Sequence, residues 1–375
     1  MEHKLETLAV HAGHHPDRET GSVAPPIHLS TTFARDEAGV PLGGHTYIRE
    51  SNPTQTQLES ALAAIEGAAG ALAFGSGVAA GVTLLQSLPP GSHVLFPDDA
   101  YYGFRVVARE ILPNWGIQSD LVAMEDLQAL AAAIRPETRL VWLESPSNPL
   151  LKIVDLRAAA EIARRAGALT VADNTFATPI LQRPLELGCD VVLHSTTKYF
   201  GGHSDLQGGA LLFAERGALH ERIEHLRHIL GPVASPFNSW LVLRGLKTLA
   251  VRIRAQSATA LTVARALEQF PSVAAVHYPG LPSHPGHEVA ARQMTAFGAM
   301  LSIRAAGGRE HALRAVSRAR LFTRATSLGG VESLIEHRAS SEAPGSTVPQ
   351  DLLRISIGLE HPDDLLADLA QALGG

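Results

Sequence analysis

The chain has 375 residues, 45% of them hydrophobic and 18% charged, which supplies apolar material for sizeable cores and excludes a disordered chain. Lys and Arg total 31 against 37 Asp and Glu, a net charge of −6, so there is no basic excess of the kind that binds a nucleic-acid backbone. A single cysteine, Cys189, excludes an internal disulfide framework and any multi-cysteine metal cluster.

At about 150 residues per domain the length predicts two domains, one large and one smaller. The first residues contain no apolar signal core, and the uncharged stretch 67–97 is interrupted by Gly75-Ser76-Gly77, Gln86 and Pro89-Pro90-Gly91. Neither a secretory leader nor a membrane span is expected, and the protein reads as cytoplasmic. Residues 1–55 show little periodicity and many breakers (Pro16, Pro25-Pro26, Gly43-Gly44, Pro53), the pattern of an arm that wraps over a neighbouring domain or subunit. Leu58, Leu62 and Ile65 then form a helical stripe that stops at Gly67.

From there to about residue 215, short β-rich runs alternate with helical stretches. Strands are expected at 93–96, 139–143, 169–172, 191–193 and 208–213, with a helix over 155–166 ending at Gly167. This rhythm predicts βαβ units and a mostly parallel, helix-covered α/β sheet in a large domain spanning 56–235. Beyond it, residues 236–375 read as a smaller α+β domain: one or two long helices over 240–270, strands at 273–277, 299–303 and 352–357, and a last helix over 362–373 with a stripe of Leu365, Leu366, Leu369 and Leu373.

Ligands of an open parallel sheet bind beyond the carboxyl ends of its strands. Four strand ends carry polar groups: Asp98-Asp99 with Tyr101-Tyr102, Glu144 with Asn148, Asp173-Asn174, and Ser195-Thr196-Thr197-Lys198. They are expected to converge on one crevice. Singly, Asp173 reads as a turn cap and Lys198 as a solvated lysine. Together, a lysine among hydroxyls and glycines with a strand-end aspartate 25 residues before it suits pyridoxal phosphate, which needs a lysine for a Schiff base and a carboxylate to keep its pyridine nitrogen protonated. Gly75-Ser76-Gly77-Val78, opening an Ala-rich segment, offers backbone N–H groups for the phosphate.

Ser195-Thr196-Thr197-Lys198-Tyr199 with Gly201-Gly202-His203-Ser204-Asp205 resembles the cofactor-lysine signature of the transsulfuration enzymes. That pyridoxal-phosphate family includes cystathionine γ-synthase, cystathionine γ- and β-lyase, methionine γ-lyase and O-acylhomoserine sulfhydrylase. The resemblance continues through Tyr47-Ile48-Arg49, Asn52-Pro53-Thr54, 144–149, Asp173-Asn174-Thr175, 327–334 and 353–358. It implies the aspartate aminotransferase-like, type I fold and a homotetramer built from dimers that share active sites. It further implies γ-elimination or γ-replacement on a homoserine- or cystathionine-type amino acid. Lys198 would hold the cofactor and shuttle protons, Asp173 would pair with the pyridine nitrogen, and Tyr101 would stack on the ring. The N–H groups of Gly77 and Val78 and the hydroxyls of Ser195 and Thr197 would hold the phosphate, with Tyr47 and Arg49 reaching it from a neighbouring subunit. Arg354 would fork onto the substrate α-carboxylate, assisted by Ser327 and Asn148, and Glu332 would face the substrate's distal end.

The chain departs from the family pattern in three places. Thr46 stands where relatives often carry an acid. Tyr102-Gly103-Phe104 follows Tyr101 where a methionine γ-lyase has a cysteine. Segment 338–343 reads Arg-Ala-Ser-Ser-Glu-Ala in place of Pro-Ala-x-Met-Thr-His, so that Glu342 would suit a basic distal group. The alternatives are β-lyase, sulfhydrylase or methionine γ-lyase activity, or a lyase for a γ-substituted amino acid with a basic distal group. An aminotransferase and a catalytically silent cofactor-fold binder are the readings of another class. His11, His14 and His15 lack acidic or cysteine partners at metal spacing and read as solvated. Arg314, Arg318, Arg320 and Arg324 read as surface, and Cys189 as core.

Overall fold

A computed structural model describes residues 3–342 and 346–374. Seven strands, β1 (Gly70–Phe74), β2 (His93–Pro97), β3 (Gln118–Val122), β4 (Thr138–Glu144), β5 (Leu169–Asp173), β6 (Val191–His194) and β7 (Gly209–Phe213), form one sheet in the order β1-β7-β6-β5-β4-β2-β3. Only β7 runs against the others, paired antiparallel with both β1 and β6. The sheet is therefore mostly parallel, as expected for α/βα architecture, and its strand-end loops gather on one edge.

Side chains alternate across a strand, and both faces are buried. Leu72, Phe74, Phe96 and Trp142 pack on one side with Leu84, Phe104 and Ile223. Leu95, Val141, Leu143 and Ala172 pack on the other with Leu156, Ala159 and Ala163. The helices begin at local signals. Asn52 caps Pro53–Glu66 by accepting Thr54 N–H, with Pro at the first turn and Gly67 left-handed at the end. Ser76 caps Gly77–Gln86 and Asp155 caps Leu156–Arg165.

A second sheet follows: β8 (Val273–His277), β9 (Met300–Ala305), β10 (Thr323–Arg324), β11 (Leu334–His337) and β12 (Leu352–Ser356), in the order β10-β11-β12-β9-β8. Two helices, Pro236–Leu246 and Leu249–Leu267, precede it, and Pro362–Leu373 closes the chain. Among the described residues no helix is long and apolar enough to cross a membrane. Cys189 is buried, and Arg314, Arg318, Arg320 and Arg324 are exposed.

The N-terminal arm corrects one expectation, since Leu5–His11 is a helix. The rest is irregular and touches its own chain lightly, for example where Trp240 Nε1 donates to the Pro25 carbonyl at 2.9 Å. Val23 and Leu42 are 74% and 71% exposed, and Leu29, Val40 and Tyr47 are exposed as well.

Candidate active site

The carboxyl edge of the first sheet opens on a cavity of about 380 Å³, and the second sheet supplies its far wall. Gly77, Val78, Tyr101, Asn148, Asp173, Ser195, Thr197, Lys198, Ser327 and Arg354 all line it. Residues far apart in the sequence thus meet where β1, β2, β4, β5 and β6 end. Asp98 and Asp99 instead line a neighbouring groove, and Asn174 turns inward to donate to the Gln182 carbonyl at 2.8 Å, so the strand-end polar groups converge only in part.

One end of the cavity is a cradle of backbone. Gly77 and Val78 are the first residues of a ten-residue helix, where N–H groups have no intrahelical acceptor. A Cβ on Gly77 would sit 3.0 Å from Ser195 Cβ, and one on Gly209 would sit 2.2 Å from the Ser76 carbonyl oxygen. Both glycines are required by close approach rather than by unusual φ. Thr197 Oγ1 accepts Gly208 N–H at 3.0 Å and donates to Gly208 O at 3.2 Å, which fixes the turn into β7.

At the base, Glu144 and Asp173 are register partners on β4 and β5. Burial pushes both carboxyls above the usual range. For Glu144 the charge of Asp173 adds to this, while the Tyr101 N–H, 2.8 Å away, pulls back; for Asp173 the opposing partner is Thr175. No lysine or arginine of the described residues pairs with Asp173. A desolvated carboxylate without a cation is costly, and a protonated pyridine nitrogen is a group that would complete it. Residues present thus fit pyridoxal phosphate at both ends, cradle and base.

Lys198 Nζ donates to Ser327 Oγ at 2.6 Å. Burial first, and then the charge of Arg354, lower its pKa from 10.5 to about 8, with Glu336 opposing. Arg354 donates to Asn148 Oδ1 at 3.1 Å, to the Ser327 carbonyl at 3.0 Å and to Glu336 Oε2 at 2.6 Å. Tyr101, exposed at the mouth, contacts Phe104 edge-on.

Four expected residues are not brought in. Tyr47 and Arg49 lie outside their own chain's cavity, with Arg49 Nη1 donating to the His228 carbonyl at 2.6 Å. Glu332 accepts from the Ser204 hydroxyl and does not line the cavity. Glu342 is spent: Arg338 donates to it at 2.8 and 3.0 Å, Arg105 binds its other oxygen, and its side chain is 1% exposed. The expectation that it faces a basic distal group is therefore corrected. Glu336 was missed because only its register opposite Arg354 reveals it, and Arg338, just beyond the strand, reaches the site through Glu336.

The sequence model of Cys/Met metabolism PLP-dependent enzymes matches residues 6–374. Cystathionine gamma-synthase of Mycobacterium tuberculosis (strain ATCC 25618 / H37Rv) is 51% identical over 375 residues, covering 98% of this chain and 96% of its own. Cystathionine beta-lyase of Coxiella burnetii is 43% identical, covering 98% and 97%. The crystal structure of metB from Corynebacterium glutamicum superposes with a TM-score of 0.97 at 45% identity, over 99% of this chain and 98% of that one.

Proposed function

The chain belongs to the family of Cys/Met metabolism PLP-dependent enzymes, and from that premise we propose that it catalyses γ-replacement or γ-elimination on a homoserine- or cystathionine-type amino acid. Pyridoxal phosphate supplies a covalent carbonyl and an electron sink for charge developing at amino-acid carbons. Lys198 is the residue that would carry it, Asp173 would face its ring nitrogen, Tyr101 would cover its ring, and Gly77, Val78 and Ser195 would hold its phosphate.

The observation that carries the reading is Ser327, which binds Lys198 through its hydroxyl and Arg354 through its carbonyl. A proton carrier and a carboxylate anchor are thereby fixed on either side of one amino-acid-sized space. Arg354 orients the substrate by its α-carboxylate, with Asn148 holding the guanidinium. Lys198, largely desolvated, is in place to move protons at Cα and at the side-chain carbons. A pKa of about 8 lets it accept and return them near neutral pH.

The phosphate cradle lacks a cation of its own chain: among the described residues lining the cavity, the cations are Lys198, Arg338 and Arg354. We assign the missing charge to Arg49, with Tyr47, of a neighbouring copy, which would also cover the arm's exposed Val23, Leu29 and Leu42. A homotetramer of such dimers follows the same reading.

The test is a substrate screen on the yellow holoenzyme. O-Acylhomoserine with cysteine should yield cystathionine, and without thiol it should yield 2-oxobutanoate and ammonia. Pyruvate from cystathionine as the main product would identify β-elimination instead, and amino transfer alone would overturn the reading.

A further inference from the structure

Arg354, Glu336, Arg338, Glu342 and Arg105 form a continuous run of alternating charge along the wall of the cavity. Glu336 Oε2 accepts from Arg354 at 2.6 Å and from Arg338 at 3.3 Å, so the two guanidiniums are neighbours on one oxygen. Arg338 also donates through Nε and Nη2 to Glu342 Oε1, at 3.0 and 2.8 Å. Glu342 Oε2 meets Arg105 on the side away from the cavity. The run holds three cations and two carboxylates, leaving one positive charge unmatched.

Arg338 is the second arginine lining the cavity. Three of its five N–H donors are spent on Glu336 and Glu342, and one on each terminal nitrogen has no acceptor among the described residues. An arginine with a free N–H on each terminal nitrogen, beside the arginine assigned to the α-carboxylate, is built to take a second carboxylate. Glu342 sets how much of its charge is available.

We propose that Arg338 is a specificity-determining residue that reads a carboxylate on the substrate's side chain, with Glu342 restraining it. The preferred substrates are then α-amino acids whose γ-substituent carries an acid, ahead of those ending in a neutral group. This rests on the assignment of the α-carboxylate to Arg354.

The experiment measures binding of two unreactive probes to the holoenzyme through the change each makes in the visible band of the cofactor. 2-Aminoadipate carries a side-chain carboxylate, and norleucine has a methyl in that place. The wild type should prefer 2-aminoadipate. Arg338→Met should lower the preference by about tenfold, with norleucine affinity changed less than twofold, and Arg338→Lys should fall between. Glu342→Gln should move the opposite way and enlarge the preference several-fold, which a merely structural role for either residue does not produce. An unchanged ratio in Arg338→Met, or a ratio that falls in Glu342→Gln, overturns the proposal. Arg354→Met separates the two ideas: if it leaves norleucine binding intact, the assignment of the α-carboxylate is what has failed.

Discussion

Lys198 and Ser327 meet at 2.6 Å across the junction of the two sheets, and Ser327 does so with a left-handed backbone, φ +85°. A non-glycine residue there is strained and persists only when its surroundings hold it. The strain places the hydroxyl under the lysine and the carbonyl on Arg354 at once. Ser327→Ala should lower kcat/KM by about ten- to a hundredfold, as expected for one hydrogen bond to a charged group at about 1.5–3 kcal/mol. Ser327→Gly relieves the backbone and removes the same hydroxyl, so it should melt no lower than Ser327→Ala and be equally impaired. A Gly variant with wild-type activity would show that the hydroxyl is idle.

Lys198→Ala should leave the fold intact and abolish covalent attachment of the cofactor, with activity falling by at least about 10²–10⁴. Borohydride treatment followed by mass measurement is the check. Cofactor still reduced onto the variant would place the attachment elsewhere.

The lysine's ionisation has a sign that can be tested. Its pKa is lowered from the ordinary 10.5 to about 8, first by burial and then by Arg354, so the reactive neutral amine is available above about pH 8 rather than above 10.5. The rate at which cofactor-free protein takes up pyridoxal phosphate should rise up to pH 8 and level off beyond it. Arg354→Met removes a positive charge that disfavours the protonated lysine, and the break should move to higher pH. A break that stays put or falls would mean that Arg354 does not act on Lys198.

Strands β2, β4, β5 and β6 were legible because each is a short buried apolar run closed by a polar turn. Strand β1, Gly70–Phe74, lies within an alanine-rich run that carries no period, and β3 is an edge strand whose Gln118, Ser119 and Asp120 are only partly covered. The residues expected to hold the cofactor line one cavity for a related reason: they lie at or within a few residues of strand ends, so chain position fixes their place. The substrate wall was not legible in that way. Glu336 is one charged residue in a four-residue strand, and its meaning depends on lying opposite Arg354 in an antiparallel pair. Pairing register is set by tertiary packing. Glu342 was misread for the same reason, since Arg338 and Arg105 reach it from different elements.

Sharing of the site between copies is tested by complementation. Lys198→Ala and Arg49→Ala chains should each be inactive alone. Mixed and refolded together, they should recover activity in hybrid dimers, where one site has both residues intact. In statistical mixing about a quarter of all sites would be intact. Mixtures as inactive as either parent would return the arm to its own subunit.

If the arm serves a neighbouring copy's site, Thr46, next to Tyr47, is expected at the other end of the substrate. Cystathionine ends in an ammonium as well as a carboxylate. Glu342 is spent on two arginines and Glu332 is turned to Ser204, and the described carboxylates that do line the cavity, Glu144 and Asp173, lie at its base. Thr46 cannot carry charge, so even with its distal carboxylate on Arg338 cystathionine should be used measurably but weakly, with a high KM, compared with smaller γ-substituted homoserines whose substituent ends in a carboxylate alone. Thr46→Glu, entering from the neighbouring copy, should lower KM for cystathionine by about tenfold for each 1.4 kcal/mol gained. A charge-assisted bond of about 1.5–3 kcal/mol sets the scale. An O-acylhomoserine without a distal amine should respond little. The readout is the ratio of kcat/KM for the two substrates in wild type and variant. A ratio that stays constant, or moves against cystathionine, would remove Thr46 from the distal pocket and leave the ammonium to be bound by groups outside the arm.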